Sequence, residues 1–170
     1  MKGEAVPMNM IVAADKNWGI GKDGQLLTHL SGDLKYFKER TLGKAVVMGR
    51  KTLESLPGGR PLPGRTNIVL TANPDYEKEG CVIVRSMDEL RKKCSEFPDD
   101  SVMIIGGATL YNELMEECKS LFITKIYDEF EADAFIKNAD ELPDYKVVWQ
   151  SEMQEEHGIR YQFFEYKRDE

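Results

Sequence analysis

Residues 45–65 read AVVMGRKTLESLPGGRPLPGR. The stretch opens on a short apolar run, Ala45-Val46-Val47-Met48, with the character of a buried strand. Gly49 ends the run, Arg50 follows, and a short helix is expected over residues 51–56. A strand, a glycine turn, a basic side chain and a helix start make an anion site, because free backbone N–H groups and the helix dipole both face the turn. An ordinary strand-to-helix turn with an exposed arginine fits the same letters. Pro61-Leu62-Pro63-Gly64-Arg65 is a stiffened loop that delivers a second arginine just before another strand, Thr66–Leu70. Two arginines fixed around one strand-helix-strand unit point to a ligand with two separated anionic groups.

Outward from this unit, apolar runs alternate with helix-period segments, the pattern of an α/β domain. Further strands are expected at Asn9–Ala14, Cys81–Val84, 102–105 and 121–126. Several are continuous and β-branched, as parallel strands buried on both faces are. Ser86-Met87-Asp88-Glu89 is a capping box opening a helix whose buried stripe is Met87, Leu90, Cys94 and Phe97. After Gly107, residues Leu110, Tyr111, Leu114, Met115 and Cys118 fall at helical spacing and read mostly as core. Residues 145–153 and 159–167 flank Glu155-Glu156-His157-Gly158 and read as an antiparallel hairpin. The expected fold is one α/β domain over residues 8–168, with a mostly parallel central sheet, helices on both faces and an antiparallel C-terminal edge hairpin. Residues 1–7 read as a short disordered extension, with Met8 a plausible alternative start.

The chain has 170 residues, enough for one sizeable core and too few for two ordinary domains. A net charge of −7 argues against nucleic acid as the main partner, since a basic stripe is the expected footprint. Cys81, Cys94 and Cys118 are widely spaced and form no C-x-x-C pair, which disfavours a disulfide framework or a metal site. They read as small core residues in a reducing cytoplasm. His29 and His157 are the only histidines, so a histidine-based metal site has little support. There is no apolar run of membrane-spanning length and no signal-peptide pattern.

Three other segments carry chemistry. Asp33 opens a helix over residues 34–41, with Ser31 as the expected N-cap, and its carboxylate lies beside Leu34 and Phe37. An acid in a first helical turn is also common for dipole reasons alone. The dipole contributes about 0.3–1 kcal/mol toward the charged form. Burial can raise a carboxyl pKa by as much as about 3–5 units, so burial is expected to win. Ile105-Gly106-Gly107-Ala108 is a strand, two glycines and a helix start, which suits a phosphate contact by bare backbone. It is not G-x-G-x-x-G, which disfavours a Rossmann reading. Residues 18–27, with Gly19, Gly21 and Gly24, are expected to form an irregular loop and a candidate lid.

MGRKTLES followed by GRPLPGRTNIVLT resembles the dihydrofolate reductase family. So do MNMIVAADKNWGIG at 8–21, GDLKYFKERTLGK at 32–44, VMIIGGATLY at 102–111 and LFITKI at 121–126. The pieces are weak singly and specific in this order. The resemblance, to the bacterial type, implies NADPH-dependent reduction of 7,8-dihydrofolate to tetrahydrofolate in a cytoplasmic monomer that antifolate inhibitors would bind. It implies that Asp33 is the catalytic carboxylate, the sole ionisable side chain of the pterin pocket, which holds the ring and promotes protonation of N5. Arg65 would pair with the α-carboxylate of the glutamyl tail. Ile11 and Ile105 would offer carbonyls to pterin or nicotinamide, and Thr124 would hold the pterin amino group through Asp33 or a water. Val12, Thr28, Leu34, Phe37 and Tyr111 complete the implied substrate side, with Tyr111 toward the nicotinamide. Arg50 would meet the 2′-phosphate of NADPH with Thr71 and Lys51, and Thr52 the pyrophosphate. Ala13, Ile20, Gly49, Leu70, Gly106, Gly107, Ala108, Thr109 and Leu110 complete the implied cofactor side. A cis peptide between Gly106 and Gly107 is part of the resemblance.

The chain departs from the family in places. Leu27-Thr28 stands where the family commonly has Pro-Trp, which bears on proton supply and inhibitor fit. Ala72 and Thr109 replace polar or basic residues often found around the 2′-phosphate, which weakens the implied preference for NADPH. Two rival readings follow from the same residues. One is the related pyrimidine reductase of riboflavin synthesis, which would lack the pairing of Asp33 with Arg65. The other is a non-catalytic nucleotide-binding module, which would need neither Asp33 nor a closing lid.

Overall fold

The computed structural model describes residues 8–169, so the extension expected over residues 1–7 lies outside the described residues. In chain order the elements are β1 (Asn9–Ala14), β2 (Gly19–Lys22), β3 (Gln25–Leu26), α1 (Ser31–Thr41), β4 (Ala45–Gly49), α2 (Arg50–Ser55), β5 (Thr66–Leu70), β6 (Cys81–Val84), α3 (Met87–Cys94), β7 (Val102–Gly106), α4 (Ala108–Leu114), β8 (Ser120–Ile126), β9 (Ala134–Phe135), β10 (Tyr145–Gln150), β11 (Gln154–Glu156) and β12 (Ile159–Arg168). The main sheet runs β10-β12-β8-β1-β7-β4-β5-β6, with β11 pairing β12. From β8 to β6 every neighbouring pair is parallel, while β12 runs antiparallel to β8, β10 and β11. This is the expected mostly parallel sheet with an antiparallel edge.

Strand periodicity builds both cores. Val46 and Met48 of β4 join Met103 and Ile105 of β7 in a cluster with Tyr36 and Leu53, so α1 and α2 cover that face. The alternate residues, Val47 of β4 and Ile104 of β7, join Leu90, Cys94, Leu110, Tyr111 and Leu114, so α3 and α4 cover the other. A sheet buried on both faces needs continuous apolar strands, and β4 and β7 supply them. Ser86 caps α3 as expected, its hydroxyl accepting from Glu89 N, while the Glu89 carboxylate accepts from Arg85 N at 2.6 Å, one residue before the N-cap that a full capping box would use.

Three expectations need correction. Residues 18–27 are not an irregular loop, because β2 pairs with β3 and with β9 in a small antiparallel sheet. The strand that completes it lies more than a hundred residues away, beyond any local reading. Buried Asp15 organises the approach, its carboxylate accepting from Asn17 N at 2.9 Å, Gly19 N at 2.8 Å and Phe130 N at 3.1 Å. The strand expected over 145–153 is interrupted between Gln150 and Gln154. Ser151 Oγ there donates to Glu152 O and accepts from Phe163 N, a local bonding pattern that competes with the ladder. The hairpin turn itself is His157-Gly158, both at positive φ, as a two-residue turn between twisted strands requires. Third, the helix expected over 34–41 begins at Ser31, and Leu30 is its N-cap.

Candidate active site

Asp33 sits in the first turn of α1, above the strands β1 and β8. The buried Thr124 hydroxyl of β8 donates to Asp33 Oδ1 at 2.6 Å. Burial pushes the Asp33 carboxyl above its ordinary value, and the Thr124 hydrogen bond pulls part of the way back. Ala13, Ile20, Leu26, Leu27, Thr28 and Ile126 line a small pocket with Asp33. Asp33 is the one ionisable side chain among the described residues lining it. A carboxyl held in an apolar pocket with a raised pKa is suited to hold a polar heterocycle and to exchange a proton with it.

The same helix carries the second anchor. Asp33, Phe37 and Thr41 are spaced i, i+4, i+8, which places them on one face of α1. At the far end, Arg65 Nε donates to Thr41 Oγ1 at 3.1 Å and Arg65 Nη1 donates to Pro63 O at 2.8 Å. Thr41 Oγ1 in turn donates to Phe37 O at 2.8 Å. The loop before Arg65 is stapled by buried Asn67, whose side chain accepts from Leu62 N and donates to Leu62 O and Arg65 O. The guanidinium is therefore aimed before any ligand arrives. Eight residues of helix separate Asp33 from Thr41, about 12 Å at the helical rise. Leu34, 48% exposed, and half-buried Phe37 lie between them, an apolar floor between a carboxylate and a cation.

The remaining expected residues gather at the carboxyl ends of the parallel strands, where open α/β sheets bind ligands. Gly49 ends β4 and stands beside Leu70 of β5, while Met48 stands beside Gly106 of β7. The peptide between Gly106 and Gly107 is cis. A Cβ on Gly106 or Gly107 would come within 3.3 or 3.4 Å of Thr52 Oγ1, so the turn presents bare backbone. Arg50 opens α2, where residue 51 was expected to, and pairs with Glu54 at 3.0 Å on the surface. Thr71 follows β5, and its N–H donates to Val84 O at 3.0 Å. Lys51 and Thr109 are exposed, Ala108 is half-buried, and Leu110 is packed into the core.

Two placements qualify the expected roles. Tyr111 Oη donates to Ile11 O at 2.7 Å, so that carbonyl already holds one partner in the free protein. The Tyr111 phenol is buried near Asp33, and burial raises its pKa strongly. Val12 and Ile105 are buried in the sheet, on opposite faces. The expected N-cap role of Ser31 is also overturned. Ser31 is the first helical residue, and its N–H and hydroxyl both donate to Glu156 at 2.7 Å. Leu26, Leu27 and Ile126 line the pocket without having been expected as site residues. Ile126 follows Thr124 at strand period two, a spacing sufficient to find it. Glu156 has no local signal, because it acts across 125 residues of chain.

Comparison with known proteins converges on one family. The family model described as dihydrofolate reductase matches residues 7–168. Dihydrofolate reductase of Bacillus subtilis (strain 168) is 42% identical over 163 residues, covering 95% of this chain and 94% of that protein. Dihydrofolate reductase type 3 of Salmonella typhimurium is 42% identical over 147 residues, covering 84% of this chain and 83% of that protein. The solved structure of dihydrofolate reductase from Enterococcus faecalis, complexed with NADP(H) and RAB-propyl, superposes with a TM-score of 0.87 at 35% identity, covering 98% of each chain. A buried carboxylate, an aimed arginine one helix-length away and bare glycine turns at the strand ends thus stand in a chain that belongs to the dihydrofolate reductase family.

Proposed function

We propose that the face of α1 between Asp33 and Arg65 seats 7,8-dihydrofolate, and that Asp33 promotes protonation of the pterin N5 during its reduction to tetrahydrofolate. The reduction is NADPH-dependent, the activity of the family. When bound, NADPH supplies the hydride that adds at pterin C6. Adding hydride to a C=N bond requires a proton on nitrogen, and the protein must favour that proton in a dry site. Asp33 does so by holding the ring and raising the basicity of its nitrogen with its charge. The Asp33–Thr124 pair, with its raised carboxyl pKa, is the observation that carries this reading. Arg65 grips the α-carboxylate of the glutamyl tail bidentately, and Phe37 and Leu34 pack against the spacer between.

The chain's residues fit NADPH. Gly49, Gly106 and Gly107 offer bare backbone to the pyrophosphate, with Thr52 beside the last two. Arg50 reaches the 2′-phosphate on exchanging its Glu54 partner, with Thr71 and Lys51 near. Ala13 and Ile20 contact the nicotinamide from the pocket side. Thr28 takes the place of a tryptophan and leaves a hydroxyl for an ordered water. The enzyme works as a cytoplasmic monomer. The acidic charge and the free Cys81, Cys94 and Cys118 support that reading. Among the described residues, no helix is long and apolar enough to cross a membrane.

Dihydrofolate, NADPH and purified protein provide the test, followed at the absorbance band of the reduced nicotinamide. Dihydrofolate-dependent loss of absorbance is expected; a rate equal to background overturns the proposal. A pterin substrate distinguishes this reaction from that of the related pyrimidine reductase.

A further inference from the structure

We propose that Glu156, at the tip of the C-terminal hairpin, is a positioning residue for Asp33: it caps the helix from which Asp33 projects and so fixes where that carboxylate stands. The inference rests on the reading of Asp33 given above.

Every helix leaves its first N–H groups without intrahelical partners, and a polar N-cap side chain usually meets one of them. The N-cap of α1 is Leu30, whose side chain has no acceptor. Glu156 supplies one from a distant part of the chain. Its Oε2 accepts from Ser31 N at 2.7 Å, and its Oε1 accepts from Ser31 Oγ at 2.7 Å and Gly32 N at 3.3 Å. These donors immediately precede Asp33 in the chain. A negative group at a helix N-terminus is favoured by the dipole as well. The bonds to Ser31, first of all, hold the Glu156 carboxyl below its ordinary range.

Two further contacts dock the same turn on β12. Tyr161 Oη stands where a Cβ on Gly32 would be, so only glycine admits this approach. Tyr36, one turn on, stacks on Phe163 with centroids 4.1 Å apart. Asp33 is thus held from two sides: Thr124 holds its carboxylate from β8, and Glu156 holds the backbone of the two residues before it from the hairpin. Glu156 does not line the Asp33 pocket, so it acts through the helix.

The titratable and charged groups facing this assembly are His157, with Nε2 3.7 Å from Glu156, the phenols of Tyr36, Tyr111 and Tyr161, and Arg40 and Glu165 beside Tyr36. All three phenols have raised pKa values, so they stay neutral at neutral pH. Removing Glu156 leaves the first N–H groups of α1 uncapped, and a frayed first turn admits water to the Asp33 carboxyl, which favours its ionised form.

The test is a carboxyl-carbon NMR titration of Asp33 in the full-length protein, wild type against Glu156→Ala, Glu156→Gln and Ser31→Ala. The Ala variant should lower the Asp33 midpoint by about half a pH unit, a factor of about three in ionisation. Glu156→Gln keeps one acceptor and should fall between the two. Single-turnover hydride transfer should show the same displacement of its pH profile, with the NADPH dissociation constant unchanged. An unmoved Asp33 midpoint in a folded Glu156→Ala protein overturns the proposal, even if its melting temperature drops. If that variant does not fold, Ser31→Ala removes one of the bonds, and an unmoved midpoint there overturns the proposal equally. The titration needs no substrate. A wild-type protein that fails to reduce dihydrofolate therefore sinks the functional reading and leaves this test intact.

Discussion

Thr124 donates its hydroxyl hydrogen to Asp33 Oδ1 across 2.6 Å, joining a strand at the centre of the sheet to the first turn of α1. Thr124 is 1% exposed, so water does not reach the hydroxyl end of the bond to take its place. The bond lowers a carboxyl pKa that burial has raised. Thr124→Val, nearly isosteric, should therefore move the pKa of Asp33 further up. In the complex the carboxyl and the ring nitrogen titrate as a pair that shares one proton, so the falling limb of hydride transfer against pH should shift to higher pH, opposite to the shift expected for Glu156→Ala. Single-turnover rates across the pH range check this; an unmoved limb detaches Thr124 from the mechanism.

Asp33→Asn should lose activity and gain stability. The rate at neutral pH should fall by about 10² or more, the scale of a positioned acid–base group, and recover in part in acid, where solvent protonates the substrate. The stability effect follows from linkage. A carboxyl whose native pKa is raised binds protons more tightly when folded, so stability falls as pH rises from the ordinary carboxylate value through the native one. The Asn variant escapes that loss. It should melt above wild type at neutral pH, and the difference should close below the ordinary carboxylate range. Melting temperatures of both proteins against pH decide it, and equal melting at neutral pH contradicts a buried, charged Asp33.

Arg65→Leu should weaken dihydrofolate binding about ten- to a hundredfold, the worth of a charge-assisted bond of about 1.5–3 kcal/mol. A pterin without the glutamyl tail should bind as before. Titration calorimetry with both ligands separates the cases. If both weaken equally, Arg65 only holds the 61–65 loop through Thr41 and Pro63.

Arg50 should set cofactor choice. Arg50→Leu should raise the Michaelis constant for NADPH about ten- to a hundredfold and leave that for NADH little changed. Glu54 competes for the same guanidinium on the surface. Glu54→Gln should therefore lower the NADPH constant, by no more than about fivefold, since exposed pairs are worth about 0.2–1 kcal/mol. Steady-state kinetics with both cofactors tests the two variants together; equal losses with NADPH and NADH make Arg50 structural.

Much of this fold was legible because its signals are local. Val46 to Met48 is continuous and apolar since both faces of its strand are covered, and the Ser86 hydroxyl caps Glu89 N within one helical turn. Asp33, Arg65 and the two glycines stand out as candidates only when their local letters are joined to the family resemblance. What escaped depends on contacts distant in sequence. Residues 18–27 look unstructured until Ala134–Phe135 lies beside them. Ser31 looks like a cap until the Glu156 carboxylate takes its hydrogens. The break near Ser151 was also hidden, because Val147, Val148 and Trp149 are strand formers whose exposure only the packed structure reveals.

Helix α1 is a ruler. Asp33 and the Thr41 that steadies Arg65 are marks on one rigid rod, continuous from Ser31 to Thr41. Side-chain repacking cannot change the distance between them. Inserting one residue would lengthen the rod by about 1.5 Å and turn the far mark by about 100°, taking it off the face altogether. The span between the two charged ends is therefore set by counting residues. Any molecule that meets both ends must match it, and one with a shorter spacer can satisfy only one mark at a time.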